Sequence, residues 1–542
     1  MTISRQLWHW LDRNILELGR EMRLSYLPPL MVYMAAGISG LTGIVGTFFV
    51  KDYLGLSAAF LAALGFWAGI PWALKMPLGH LVDLIWRWKS VLVFIGAGMI
   101  AASLSIMIGL LSDREAMAVM MPPGAWYVTS VLLGVVGYVL QDVVADAMTV
   151  EAVPRVDAQG NPVDPARRKL MNTTMQTLGR VAIIGGGVLV AVVNLYLFSG
   201  VQALSEAEKV AIYRRIYLLA LCIPAISVAG VLSAMWLRRR DARQLRAQGR
   251  SNAEIDILLS GRLEATQPNW WILGGSLAFV AFTLGMGFSR LPYNQEIIFA
   301  GSFGIISFLL LRLFRELEPD VRATMLGTVI VIFVFRAIPG PGEGITWWFI
   351  DELKFDQHFI SILSLIGSVL TLAGMFIFRR FMADHSIAYV VGALTLLGGL
   401  LSLPYVGMYF GLHQWTAAMT GGVVDARFIA LVNTALESPL GQIAMIPMLA
   451  WIANSAPAHL KATYFAVMAS FTNLALSASA LGTKYLNQIY IVSREVRDKS
   501  GAVTVPADYS QLGELLVVQL AIAVAIPFAA IGLTRLLRLR SA

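Results

Sequence analysis

The stretch from Arg336 to Trp348 reads RAIPGPGEGITWW, and it lies between the apolar run MLGTVIVIFVF and the apolar residues that end at Ile350. Either it is a surface turn between two short membrane helices, or it is a break inside one long helix. The chain around it sets the solvent first. Of 542 residues, 57% are hydrophobic and 14% charged, with mean hydropathy +0.70, more apolar surface than globular cores can hide. The chain therefore reads as a polytopic membrane protein. Apolar runs long enough to cross a bilayer as helix fall near 29–50, 57–78, 90–112, 125–149, 170–198, 213–237, 270–290, 294–313, 322–338, 357–378, 386–408, 427–452, 462–486 and 511–534. That makes roughly fourteen crossings. The runs are continuous and not alternating, so an all-α fold is expected and not a barrel.

Basic residues set the orientation. Arg5, Arg13, Arg20 and Arg23 precede the first span, and Arg87, Lys89, Arg155, Arg238, Arg239, Arg240, Arg379 and Arg535 fall on loops of the same parity. Both termini are expected in the cytoplasm, with the chain in the cell membrane, or the inner membrane of a Gram-negative cell. The loop 487–510 dissents, with Arg494, Arg497 and Lys499 on the outer side. The sequence pI of about 9.5 reads as inside bias, not as a nucleic-acid footprint. Residues 1–28 carry charges, including Glu17 and Glu21, that interrupt any signal peptide, and they read as an amphipathic cytoplasmic segment.

Several chemistries are excluded. The lone Cys222 allows no disulfide framework or cysteine metal site, and the six His form no HExxH. There is no GxxxxGK[ST], and no nucleophile-base pair or metal set supports an enzyme, so neither cofactor nor metal is expected.

An internal repeat bears on the opening stretch. FFVKDYLGLSAAF (Phe48 to Phe60) aligns with WFIDELKFDQHF (Trp348 to Phe359) when Tyr53 is skipped, matching Phe49 to Phe349, Leu54 to Leu353 and Phe60 to Phe359. Counting back sets Arg336 opposite Gly37, so that GISGLTG faces RAIPGPGEG. Both are helix-weakening, and proline leaves the backbone near Ala337 and Ile338 in need of partners outside its own helix. The stretch is read as a break inside one helix, about 322–350, and paired breaks in two halves point to a midplane binding site. The domains follow as 1–28, an N-terminal six-helix half 29–237, a basic linker 238–269, an inserted helix pair 270–320 and a C-terminal six-helix half 321–542. The linker's NAEIDILLSGRL is expected to form a short surface helix.

The segment GHLVDLIWRWK, Gly79 to Lys89, resembles the major facilitator signature G-x-L-x-D-R-x-G-R-[RK], with Gly79, Leu81, Asp83 and Arg87 in place and Trp86 where the signature has Gly. That resemblance implies a glycine for close helix approach and an Asp–Arg latch, which makes Gly79, Asp83 and Arg87 gating candidates. FFVKDYLGLS, IPWALKMPLGHLVD, QDVVADAMTVE, RAIPGPGEGITWWFIDELKF and APAHLKATYFAVMASFTN, in that order, are similar to successive blocks of the folate-biopterin transporter family. The resemblance spans most of the twelve-helix core. It implies a major facilitator fold and proton-driven uptake of a pterin, folate or similar heteroaromatic anion. The sequence departs from the family at Lys75-Met76-Pro77 and at Lys461.

Ionisable groups within the spans are costly unless paired or lining a cavity, so each is a functional candidate. Asp142 and Asp146 lie one turn apart on one helix face and suit proton coupling, with a hydrated structural role as the alternative. Arg180, about 16 Å into its helix, shares the depth of Asp142. A permanent Arg180–Asp142 ion pair and a substrate-switched one are both open. Arg336, at the break, offers a guanidinium for a substrate carboxylate or carbonyl. Glu437 is expected to be buried as a second protonation site. Lys75 is expected to snorkel, Glu151 to be structural, and Trp72, Trp347 and Trp348 either to stack on a ring or to anchor at the interface. Gln176, Asn172 and Asn473 either line a cavity or join helices. Pro339, Gly340 and Pro341 are the gating candidates at the break. The reading is a monomeric, proton-coupled secondary transporter whose partners are its small-molecule substrate, protons and the bilayer. The rival is a membrane assembly or pigment-delivery factor on the same fold.

Overall fold

The computed structural model describes all residues except 1–16, 74, 154–162, 202–203, 261–269, 290, 316–317, 379–380, 382–384, 442–460, 498–502 and 541–542. Most of the expected amphipathic segment, together with Arg155 and Arg379, therefore lies outside the described residues. Among the described residues, ten helices are long and apolar enough to cross a membrane, and Leu273–Gly287 is apolar but shorter. The fold is all but entirely helical, as the continuous apolar runs require.

The first crossing is built from α1 (Leu27–Ile38) and α2 (Gly43–Phe49), joined by a 3-10 turn over Ser39–Thr42 and ended by a π turn over Val50–Leu54. It is followed by α3 (Ala58–Ala73), α4 (Lys75–Leu84), α5 (Ser90–Ser112), α6 (Pro123–Ala152), α7 (Pro165–Leu197), α8 (Glu206–Ala220) and α9 (Cys222–Ala247). NAEIDILLSGRL holds the expected short helix, α10 (Asn252–Ser260), and α11 (Trp270–Phe288) and α12 (Asn294–Phe314) follow. The second broken helix is α13 (Pro319–Arg336) and α14 (Gly344–Asp351). It leads into α15 (Gln357–Ile377), α16 (Ile387–Tyr409), α17 (Ala426–Glu437), α18 (Lys461–Ile489) and α19 (Leu512–Leu536).

Backbone geometry matches the two repeat segments residue by residue. Gly55 and Lys354, equivalent once Tyr53 is skipped, both adopt left-handed φ, +66° and +56°. Two residues later, Ser57 Oγ accepts the Phe60 N–H at 3.1 Å and Asp356 Oδ1 accepts the Phe359 N–H at 2.8 Å, so both following helices start on the same cap. Counting back without a gap from Lys51 and Asp351 puts the 3-10 turn 39–42 opposite 339–342. The register with Gly37 opposite Arg336 is therefore corrected by one residue.

These two segments also meet. Lys51 Nζ lies 2.6 Å from Asp351 Oδ1, so equivalent positions form an ion pair across the two halves. The pair sits at the end of the bundle opposite the start of α1 and the end of α19, the far end. Between α18 and α19 a short antiparallel ladder, β1 (Val496–Arg497) and β2 (Val503–Val505), folds over the same end. Arg494 beside it is buried, donates from Nη1 to the Val50 carbonyl, and lies over the Trp347 ring at 5.2 Å. The dissenting charge in the loop 487–510 thus has a structural duty. It caps the end of the first broken helix.

α12 bridges α3 and α18. Gln295 Nε2 donates to the Ala63 carbonyl of α3 at 3.3 Å, while Glu296 takes Lys484 Nζ at 2.7 Å and Tyr485 Oη at 2.6 Å, both on α18. Phe303 of α12 packs against Phe333 of α13 and Phe471 of α18, with ring centroids 5.4 and 5.8 Å away.

Candidate functional site

The strongest charge cluster centres on Lys75, the first residue of α4. Its Nζ is 2.6 Å from Asp142 Oδ2 and 2.8 Å from Asp146 Oδ2, and Tyr33 Oη donates to Asp146 Oδ1 at 2.6 Å. The one-turn spacing on α6 puts both carboxylates on one face, and the ammonium between them offsets their repulsion. Lys75 does not snorkel. Arg180 is in electrostatic range of Asp142, but among the described residues it closes no ion pair with it, so the expected Arg180–Asp142 pair is corrected to Lys75–Asp142. Nothing in the spacing of Lys75 marked it as the partner. Only the packing of α4 on α6 brings the three groups together.

One to two turns nearer the far end lies a cavity of about 390 Å³, within the ~300–1,000 Å³ range of small-molecule sites. Residues of the 3-10 turn Ser39–Thr42, α2, α3, α5 and α6 wall it, Tyr217 of α8 joins them, and Glu343 and Trp347 enter from the second broken helix. Most of its hydroxyls are already engaged: Ser103 and Ser130 exchange bonds of 2.7 and 2.9 Å with each other's carbonyls, Tyr138 bonds Ser39, and Tyr217 bonds Thr42. Among the described residues, Trp347 alone of the site candidates read from the sequence lines this cavity. It is fully buried and Trp348 is mostly buried, so neither is an interfacial anchor.

The break itself is held by side chains. Ser479 Oγ donates to the Ile338 carbonyl at 2.6 Å, Gln519 Nε2 to Pro339 at 3.1 Å and Asn487 Nδ2 to Pro341 at 3.2 Å, while Thr483 Oγ1 accepts the Gly340 N–H at 2.9 Å. Gly342 has φ +77°, and a Cβ there would meet Asn487 Nδ2 at 2.5 Å, so the position admits only glycine. Pro339, Gly340 and Pro341 therefore form a fixed non-helical strip gripped by α18 and α19.

The other candidates separate from these sites. Arg336 ends α13, half-buried, outside the cavity lining. Trp72 offers its carbonyl to Asn473 Nδ2 at 3.2 Å, which gives Asn473 the helix-joining role. Glu437 is exposed and not buried as expected, with a long 3.5 Å contact to Asn433 Nδ2. A Cβ at Gly79 would meet no described atom within 4 Å, which corrects the close-approach role implied for it. Arg87 is exposed, and the side chains of Asp83, Gln176, Asn172 and Lys461 lie outside the described residues. Near Arg87 the described pairing is Lys89 with Glu151 at 2.7 Å, with Arg238 4.0 Å from the same carboxylate and the Lys89 ammonium 4.0 Å over the Trp86 ring.

The helical bundle, with its ion cluster, paired helix breaks and internal cavity, is that of a multi-pass membrane protein with the fold of the major facilitator transporters. Solved structures agree in fold. A peptide transporter of the POT family in complex with sulfate superposes at TM-score 0.58 with 14% identity, covering 96% of this chain and 95% of that one. A POT family transporter in complex with 5-aminolevulinic acid gives 0.56 at 12% identity over 96% of both chains, and a mutant of the nucleoside transporter NupG gives 0.53 at 11% over 94% and 99%. The chain belongs to the BT1 family, whose model matches residues 36–539. It is 22% identical over 476 residues to the folate-biopterin transporter of Synechocystis sp., covering 87% of this chain and 76% of that protein. The probable folate-biopterin transporter 6 of Arabidopsis thaliana matches at 22% over 158 residues, 28% of this chain and 30% of that protein.

Proposed function

We propose that this transporter is proton-coupled and carries a folate, a pterin or a related heteroaromatic organic anion. It alternates access by rocking residues 29–237 against 321–542, with 238–269 as linker and 270–320 as an inserted pair. The observation that carries the coupling is Lys75 held between Asp142 and Asp146. Two carboxylates share the Lys75 ammonium, with the Arg180 guanidinium in electrostatic range of Asp142, and such a cluster is costly to hold among the spans. A proton on either aspartate removes one of the two charges that grip Lys75 and weakens its hold on α6. Because α4 packs on both α6 and α18, that change is felt at the seam between the halves. The likeness to the Synechocystis folate-biopterin transporter supports the substrate class. Basic residues at the end that carries the termini, among them Arg238, Arg239, Arg240 and Arg538, support a cytoplasmic position for both termini in the cell membrane. The far end then faces outward. The unit is a monomer with no nucleic-acid partner.

Proteoliposomes loaded with radiolabelled folic acid or pterin test the reading. Asp142→Asn should fold, because Lys75 keeps Asp146, and should retain exchange at equal pH while losing accumulation driven by a pH gradient. Gradient-driven accumulation intact in both Asp142→Asn and Asp146→Asn would move the coupling elsewhere. No uptake of either compound by the wild type would overturn the substrate class.

A further inference from the structure

Glu343 is the acidic residue of the cavity, and none of the described lining residues is Lys, Arg or His. Its carboxylate makes no hydrogen bond or ion pair with the described protein, and the similarly unengaged hydroxyl of Tyr127 lies within its electrostatic range. The rest of the polar lining is largely satisfied by its own bonds. A bare carboxylate in such a wall repels a substrate anion and calls for donors, and its two oxygens suit two parallel N–H groups.

We infer that Glu343 is the specificity-determining residue of the cavity and reads a planar amidine-type edge, two neighbouring N–H donors such as the 2-amino and N3–H of a 2-amino-4-oxopyrimidine ring. The inference rests on the substrate class proposed above and reverses the polarity expected of the site: the heterocycle enters the cavity ring-first, and any acidic tail points away from it. The frame is suited to the task. Glu343 directly precedes α14, at the end of the strip gripped by Ser479, Thr483, Asn487 and Gln519, so its backbone is fixed. Trp347, one turn on, and Tyr127 supply aromatic surface for a flat bicycle.

The test compares pterin with lumazine, the same bicycle with oxygen in place of the 2-amino group, by fluorescence quenching of the purified full-length protein. Wild type should bind pterin roughly tenfold or more tightly than lumazine, because lumazine turns an acceptor toward the carboxylate. Glu343→Gln should lose most of that preference, and Glu343→Asp should keep part of it. Equal affinity for the two ligands in wild type overturns the assignment without any variant, even if Glu343→Gln fails to fold. Unaltered pterin binding in a folded Glu343→Gln overturns it too, including the case in which only pH dependence changes and Glu343 proves to be a proton carrier. Wild type that binds neither ligand fails the substrate class itself, whereas uptake without discrimination fails only the role of Glu343.

Discussion

The two broken helices occupy equivalent places, yet they are broken by different chemistry. The first bends through a 3-10 turn at Ser39–Thr42 that keeps its hydrogen bonds within the chain. Its key glycine, Gly37, serves packing: a Cβ there would lie 2.1 Å from the Ile183 carbonyl oxygen of α7. The second loses its helical ladder between Ala337 and Glu343 and hands the freed groups to Ser479, Thr483, Asn487 and Gln519. Glycine bends a helix while leaving donors in place. Proline removes them, so a proline break within a membrane must be supported by polar side chains from neighbouring helices. The second half alone can therefore present a fixed strip, with Glu343 at its end, to the cavity.

The contrast predicts a graded series of effects on folding. Gly37→Val should be the most damaging, at about 3 kcal/mol or more, because the clash is with backbone that cannot rotate away. Gly340→Ala, whose Cβ would meet only Thr483 Oγ1 at 3.9 Å, should fold normally. Fluorescence-detected size exclusion separates the two, and a monodisperse Gly37→Val would contradict the packing role.

Where the breaks lead to the far end, Lys51→Met should cost up to about 3 kcal/mol by leaving Asp351 without its ion-pair partner. Lys51→Asp combined with Asp351→Lys should recover much of the loss in thermal stability, because the positions are structurally equivalent. Tyr509 Oη donates to Asp351, so a swap no better than its worse single variant would show that the surroundings, Tyr509 and Arg494 included, specify the polarity.

Ser479→Ala and Gln519→Leu should each cost about 1–3 kcal/mol, the penalty of a buried carbonyl left unpaired. Their melting temperatures should fall while detergent-extracted yields hold. No shift in either would mean that water takes over the freed carbonyl.

The smallest effect on folding should come from Pro339→Ala with Pro341→Ala. Expression should be intact, and uptake in proteoliposomes should fall several-fold as the strip regains helical form and draws Glu343 from its place. Unchanged uptake would show that the cavity does not use the break.

Much of this was legible in the sequence for local reasons. Apolar runs, a Pro-Gly cluster and the match of FFVKDYLGLS to WFIDELKF depend on neighbouring residues, and the i, i+4 spacing of Asp142 and Asp146 depends only on helix pitch. The partner of that carboxylate pair was not legible. Arg180 had the right depth and Lys75 looked like a residue near a helix end, but which cation faces α6 depends on how α4 and α7 pack around it. Glu437 failed for the same reason: residue type and span position said buried, and the rotation of α17 left it exposed. Arg494 looked like a topology marker and turned out to bond Val50 and cover Trp347.

By itself, the sequence determined the solvent, the helical class, the place of the two breaks and their equivalence, because hydropathy and backbone propensity are properties of short windows. Tertiary structure alone decided that equivalent residues Lys51 and Asp351 would meet, that Lys75 would stand between two aspartates, and that Glu343 would face a cavity whose described lining holds no cation. Each of these is a side-chain contact across tens to hundreds of residues. Charges in a low-dielectric interior find their partners only once helix rotation and crossing have been set by the packing of surfaces such as Gly37 against α7.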